Sequence, residues 1–545
     1  MNRGGPHDDR RTMTAGKART MPVVAPALKG WLSDGGEIAL LDVREHGQYG
    51  MGHLFFAVPL PYSRFELGLP GLVPNRSVRL VLCDGGDGIA ARAAARAAAL
   101  GYTNVYVLEG GVPAWRAAGY TLYEGVNVPS KVFGEIIEHQ RHTPRISARD
   151  LEAMRERGDN FVIVDGRPWA EYRKMSIPGG ICCPNGELVL RIRDIAPDPA
   201  TRIVVNCAGR TRSIIGAQTL IDFGVPNPVF ALENGTQGWF LAGLELARNA
   251  DRRYGEAGTE TAEQRSRAQR FAQACGAPFV SPSLAHAWLG DGGRTTCLFD
   301  IRTSEEFAVD GLAGFFHAPG GQLVQATDQW VGVRAARIVV CDREEVRAPV
   351  IAGWLRQLGH EAYWLADPAT AASLDWRRSG AGAEQPGLPS ISAEEAAAAL
   401  RAKTATVLDL RPGMTYRKGH IAGAVWAIRP KIGAVQPLGA IIILVADEPA
   451  VAALAALDLA ESGAKHIRLL AGGYAAWRDA GLAIEASPGR PADAECIDFL
   501  FFTHDRHDGN VEAARQYLAW ETGLLAQLDD QERGVFRLAT PAPSP

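Results

Sequence analysis

The stretch VVNCAGRTRSIIGAQTL, residues 204–220, opens on an apolar run and closes on a helix-like one. Residues 203–205 read as a buried strand, since consecutive β-branched residues suit a pleated interior surface. Residues 214–223 place apolar side chains at helical spacing, so a helix is expected to start near Arg212 or Ser213. Between them lies a short loop with one cysteine, Cys207, one glycine, Gly209, and two arginines, Arg210 and Arg212. Strand–helix alternation of this kind argues a parallel sheet with helices on both faces.

The frame recurs along the chain. LLDVRE places Asp42 and Arg44 after an apolar run, IVDGRP places Asp165 and Arg167, LFDIRT places Asp300 and Arg302, and VLDLRP places Asp409 and Arg411. Successive aspartates are 123, 135 and 109 residues apart, each a domain-sized interval. Cys83, Cys207 and Cys341 follow the first three aspartates by 41, 42 and 41 residues, while the fourth unit has Ala446 in the matching loop. LEGGVPAW (108–115), LENGTQGW (232–239) and LAGGYAAW (470–477) close three units, and the third closes on the worn LADPATAASLDW. The expected organisation is a leader at 1–22, units at 23–124, 125–248, 276–378 and 388–487, and a helical tail at 488–545. A charged linker is expected at 249–275, and a second, short flexible one at 379–389. The leader reads as disordered or as a start placed too early, with Met13 and Met21 as alternatives. The tail, with a helix over about 511–528, is expected to pack on the last unit.

Length and composition agree with several globular domains. The chain has 545 residues, 47% hydrophobic and 22% charged, with a net charge of −4. That balance offers no footprint for nucleic acid or an anionic membrane surface, and no apolar run is long enough for a membrane helix. The 8 cysteines form no C-x-x-C pair, so a zinc ribbon or dithiol is not expected, and free thiols fit a reducing cytoplasm.

Together these landmarks resemble the rhodanese family of sulfurtransferases, over about residues 25–485. The family pattern has Asp-x-Arg after an early strand, a GHIxGA turn, a cysteine loop between strand and helix, and a closing LxGGxxxW. GHIAGA stands intact at 419–424, GHLFFA at 52–57 is close, MSIPGG at 175–180 carries Ser176 in the histidine place, and DGLAGF at 310–315 is a poor match. The resemblance implies an α/β fold of four tandem rhodanese-like domains plus a short helical tail. It also implies catalysis through a persulfide on cysteine, with no other cofactor and no metal. The partners implied are a small sulfur donor and a thiol or cyanide acceptor, with a protein acceptor as a further expectation.

That chemistry needs an anionic sulfur at neutral pH, which adjacent cations and a helix N-terminus favour. Cys207 has both, so it is expected to be the nucleophile. Ala208, Gly209, Arg210, Thr211, Arg212 and Ser213 are expected to bind substrate, with Arg212 as the main anion-binding cation and Arg210 steering an anionic donor. Cys83 and Cys341 are secondary candidates in acidic loops, where negative neighbours disfavour a thiolate, and the fourth unit is expected to be inactive. The Asp-x-Arg pairs and Trp115, Trp239 and Trp477 read as structural, Cys182 and Cys183 as small buried residues, and HDRHDGN (504–510) as a helix cap rather than a metal cluster. A phosphatase or arsenate reductase of the same fold is the rival activity. Those enzymes carry Cys-x5-Arg, whereas here Arg212 is fifth after Cys207 and Ser213 sixth. A mainly non-catalytic sulfur-carrier or scaffold role is the other alternative.

Overall fold

The computed structural model describes residues 20–256, 258, 261–376, 387–435 and 439–539. Most of the expected leader and nearly all of the 379–389 link lie outside the described residues. The four Asp-x-Arg strands, Ile38–Asp42, Phe161–Asp165, Thr296–Asp300 and Ala405–Asp409, each sit inside a five-stranded sheet. Numbering the strands of each sheet along the chain, all four sheets have the spatial order first, fifth, fourth, second, third. Neighbours run parallel in each. The second strand of the first sheet is buried along its full length, as expected where helices cover both faces of a parallel sheet. The third unit, with its worn closing motif, folds like the others. Trp376 is buried and donates its indole N–H to the Ala371 carbonyl at 2.9 Å.

The Asp-x-Arg pair is a brace. In every unit the aspartate accepts the backbone N–H of the arginine at 3.1 Å and pairs with its guanidinium. The guanidinium then reaches the carbonyl eight residues on: Gly52, Met175, Asp310 or Gly419. Its recurrence in the fourth unit, which lacks the loop cysteine, makes it a device of the fold. Trp115, Trp239 and Trp477 are buried, each donating its indole N–H to the carbonyl six residues later.

Three expectations about chain organisation are corrected. Residues 21–22, placed in the leader, belong to the edge strand Met21–Val23 of the first sheet. The expected linker at 249–275 contains the helix Ala262–Ala274, opened by a capping box between Thr261 and Gln264. Ala268, Phe271 and Ala272 give that helix an apolar face, which packs beside Gly353 of the helix Arg347–Gln357. The tail touches the fourth unit only at its start, where Arg417 holds the Pro491 carbonyl and Asp493 and Asp498 accepts the Gly413 N–H. It then crosses to the first two units: Leu524 and Leu528 join the core of the first, and Glu521 reaches the second. Its helix is Val511–Gly523, followed by a 3-10 turn and the short helix Asp530–Arg533.

Candidate functional site

Ladder register decides which side chain stands at each strand-to-helix turn. Asp42 is opposite Cys83 and Asp300 opposite Cys341, but Asp165 is opposite Asn206. Backbone bonds agree. Val43, Gly166, Ile301 and Leu410 donate to the carbonyls of Cys83, Asn206, Cys341 and Val445. One residue on, Val112 and Thr236 donate to the carbonyls of Asp84 and Cys207. The residues equivalent to Cys207 are therefore Asp84, Asp342 and Ala446.

This corrects the secondary candidates. Cys83 and Cys341 end their strands one residue early, and successive strand residues face opposite ways. Both side chains lie in the apolar cores. Burial pushes each thiol up, reinforced by Asp42 beside Cys83 and Asp300 beside Cys341. Neither is placed for nucleophilic attack.

What replaces the sulfur in the sister units is informative. The Asp84 carboxylate accepts N–H groups of Gly86 and Ala90, each at 2.9 Å, the latter in the first turn of the helix Ile89–Ala99. Asp342 accepts those of Val346 and Arg347 at 3.1 and 2.9 Å, where the helix Arg347–Gln357 begins. Thus the turn holds a negative group on unpaired N–H donors at the positive end of a helix. In the second unit that place belongs to Cys207.

Cys207 is 2% exposed, and its sulfur lies 3.6 Å from Ser213 Oγ, which donates to the Arg210 carbonyl at 2.7 Å. The helix runs Thr211–Phe223, starting one residue before the expected point. Gly209 is tightly covered: a Cβ there would come within 2.9 Å of the Tyr517 ring and 2.8 Å of a Glu521 carboxylate oxygen. Glu521 Oε1 accepts from Thr211 Oγ1 at 2.7 Å, from its N–H at 3.4 Å and from Lys131 Nζ at 3.1 Å. Burial alone would raise the Glu521 carboxyl, but the Lys131 charge and these hydrogen bonds hold it below its usual value.

The two loop arginines part company. Arg212 lines a cleft of about 410 Å³ over the loop, with Ala208, Arg167, Glu171 and Lys174 of the same unit. It makes a two-pronged pair with Glu171 at 2.9 and 2.8 Å. Burial would raise the Glu171 carboxyl, yet the Arg212 charge brings it down to about 2. Of the loop residues Ala208 and Arg212 line the cleft, and Cys207 and Arg210 do not. Arg210 is held by Glu135 at 2.7 and 2.9 Å, by Glu138, and by Asn234 at 3.2 Å. The steering role expected for Arg210 gives way to fastening the loop onto the helix Val128–Arg141.

Other segments complete the cleft: Lys131 from the opening helix of the second unit, Gln322, Gln325 and Gln329 from the third, and Phe502, Arg506, His507, Tyr517 and Trp520 from the tail. Arg506 lies over the Tyr517 ring at 4.5 Å and has no carboxylate partner among the described residues. His507 is kept neutral by burial and the nearby cations, its pKa pushed down to about 3. These residues escaped the sequence reading because none is adjacent to the loop in the chain, the tail residues lying some 300 positions away. HDRHDGN was the one signal: Asn510 indeed caps the helix Val511–Gly523, Asp508 pairs with Lys174, and Arg506 and His507 face the cleft. Cys182 and Cys183 are buried and free; burial, with Asp165, pushes the Cys182 thiol up to about 12. Among the described residues no group of three or more His, Cys, Asp or Glu is arranged to hold a metal ion, and no helix is long and apolar enough to cross a membrane.

Fold and site define a class: tandem parallel α/β units, each with an Asp-x-Arg brace and a strand-to-helix turn at the carboxyl end of its central strand, which in the first and third units holds a carboxylate. The chain belongs to the rhodanese family, whose rhodanese-like domain model matches residues 24–118, 147–242 and 392–480. The third sheet lies outside those matches and has the same strand order. A thiosulfate sulfurtransferase from Pseudomonas aeruginosa, known as a crystal structure, is 38% identical, with a TM-score of 0.86 over 95% of this chain and 99% of its own. The 3-mercaptopyruvate sulfotransferase SseA of Escherichia coli is 18% identical over 41% of this chain and 98% of its own, with a TM-score of 0.21. Among curated proteins no match to the chain is found.

Proposed function

We propose that the chain is a sulfurtransferase with one working site, in which Cys207 carries the sulfur. The observation behind this is the exchange at one structural position: Asp84 and Asp342 hold a carboxylate on the turn N–H groups, and Cys207 is the residue at that position in the second unit. A turn that holds a carboxylate favours a thiolate and then a persulfide anion in the same cradle. Thiosulfate is the proposed donor, given the likeness to a thiosulfate sulfurtransferase along nearly the whole chain. The Cys207 thiolate attacks the outer sulfur, the sulfur–sulfur bond of thiosulfate breaks, and sulfite leaves with that electron pair. Cyanide or a thiolate then attacks the terminal sulfur of the persulfide, and its electron pair returns to Cys207. No other carrier is required, since the sulfur rides on the enzyme. Arg212 and Arg506 are proposed to bind the anionic end of the donor, Arg212 exchanging part of its pairing with Glu171. The first and third units have scaffold roles: each has a carboxylate at the reactive position, and the third builds a wall of the cleft. The 8 free cysteines support a reducing, cytoplasmic setting.

The test is incubation with thiosulfate and cyanide, followed by mass spectrometry of the protein after donor alone. Wild type is expected to form thiocyanate and to gain the mass of one sulfur atom, and Cys207→Ser to do neither. Equal sulfur loading of Cys207→Ser would remove the site assignment. Phosphate release from an aryl phosphate without thiocyanate would move the activity to the phosphatase rival, against which the position of Arg212, fifth after Cys207, already speaks.

A further inference from the structure

Buried arginines in this chain come with carboxylates: Arg167 with Asp165, Arg347 with Glu187 and Glu306, Arg429 with Glu66 and Asp458. Arg334 is half-buried and has no such partner. It stands where the first and third units meet, its backbone N–H donating to the Ile38 carbonyl at 2.9 Å. Among the described residues no carboxylate pairs with its side chain, and its Nε is buried without a partner. Burial, unopposed by any negative neighbour, pushes its pKa down to about 10. Its guanidinium carbon lies over Phe56, 3.6 Å from the ring centre, and the residue borders a cavity of about 400 Å³ between the first unit, the third unit and the chain's C-terminal segment.

We propose that this cavity is a binding site for a small organic carboxylate with an apolar body, anchored by Arg334. The volume lies in the range of small-molecule sites. A guanidinium offers two parallel N–H donors to a carboxylate, and a half-buried one whose Nε is unpartnered carries part of a desolvation cost that such a ligand relieves. Val331 and Phe536 supply apolar wall for the body of the ligand. The remaining polar groups suit a monoanion. Asp328 borders the same cavity with an unpartnered Oδ1, and burial pushes its carboxyl up to about 7, so below that pH it is protonated and donates to the ligand's carboxylate. His360 is held neutral, pushed down to about 4 by burial and by the charge of Arg334. At the exposed rim Asp530 and Arg537 offset one another. A dianionic tetrahedral ion would leave one charge unmatched and the apolar wall unused. The site lies outside the sulfur-transfer cleft and does not depend on the function of Cys207.

The experiment is isothermal titration calorimetry of the full chain with sodium benzoate, using benzamide as the uncharged isostere and sodium chloride to hold ionic strength. Benzoate is expected to bind saturably, with benzamide on wild type and benzoate on Arg334→Gln each about tenfold weaker or more. No saturable benzoate binding, benzamide binding as tightly as benzoate, or an unchanged affinity in Arg334→Gln overturns the proposal. The benzamide comparison uses wild-type protein, so it stands even where the variant folds poorly.

Discussion

Replacing Cys207 with aspartate converts the second unit to the pattern of the first and third, and should abolish sulfur transfer while strengthening the turn. Asp84 and Asp342 each accept two N–H bonds of 2.9–3.1 Å at the start of a helix. A carboxylate in that position contributes about 1 kcal/mol relative to alanine, from capping and from the helix dipole. Arg212 adds positive charge nearby, and Glu521, which already holds the Thr211 N–H, takes some of the gain back. A net change of about 1 kcal/mol alters a local opening equilibrium about fivefold. The assay is hydrogen exchange at the backbone amides of residues 211–214, comparing Cys207→Asp with Cys207→Ala, beside thiocyanate formation by both. Slower exchange in the aspartate variant, with neither variant active, is expected. Faster exchange in Cys207→Asp would refute the idea that this turn is built to hold an anion.

Cys83→Ser and Cys341→Ser should each leave thiocyanate formation unchanged while lowering the thermal midpoint, because a hydroxyl placed in an apolar core costs about 1–3 kcal/mol; loss of turnover at normal stability would reinstate those thiols. Glu171→Gln relieves Arg212 of its fixed counter-charge, so KM for thiosulfate should fall about fivefold in initial-rate assays, as for a charge pair worth about 1 kcal/mol. Arg506→Gln should raise KM by a similar factor of about five with kcat little changed, since binding rather than bond breaking is affected; an unchanged KM removes Arg506 from donor binding. Glu521 has a folded pKa below its unfolded value of 4.5. Its contribution to stability is therefore present above that value and lost as pH falls through the lower folded one. Thermal melts on an acid series should show a shallower loss for Glu521→Gln than for wild type, and parallel curves would contradict the pairing with Lys131.

The four units, their Asp-x-Arg braces and the closing tryptophans were legible in the sequence because each depends on local pattern: an apolar strand, a turn, a buried indole. Cys207 stood out for the same reason, being the cysteine followed within five residues by two arginines and no acidic residue. The worn third unit needed the structure, where Trp376 fills the core through a different turn although its closing motif has eroded.

Three matters lay beyond any local reading. The landmark cysteines looked equivalent at spacings of 41, 42 and 41 residues, yet only strand pairing shows that the single-residue difference moves a side chain from the core to the turn. Arg210 and Arg212 look alike in sequence, and their partners, Glu135 and Glu171, become neighbours only when helices distant along the chain pack on the loop. The tail reads as an appendage of the last unit, but beyond its first residues its groups find their complement on the first, second and third. The sequence by itself determined where strands, turns and helices lie and which turn carries a thiol among cations. Tertiary structure alone decided which groups surround that loop, because register and charge pairing depend on contacts between residues that the chain keeps from 41 to 310 positions apart.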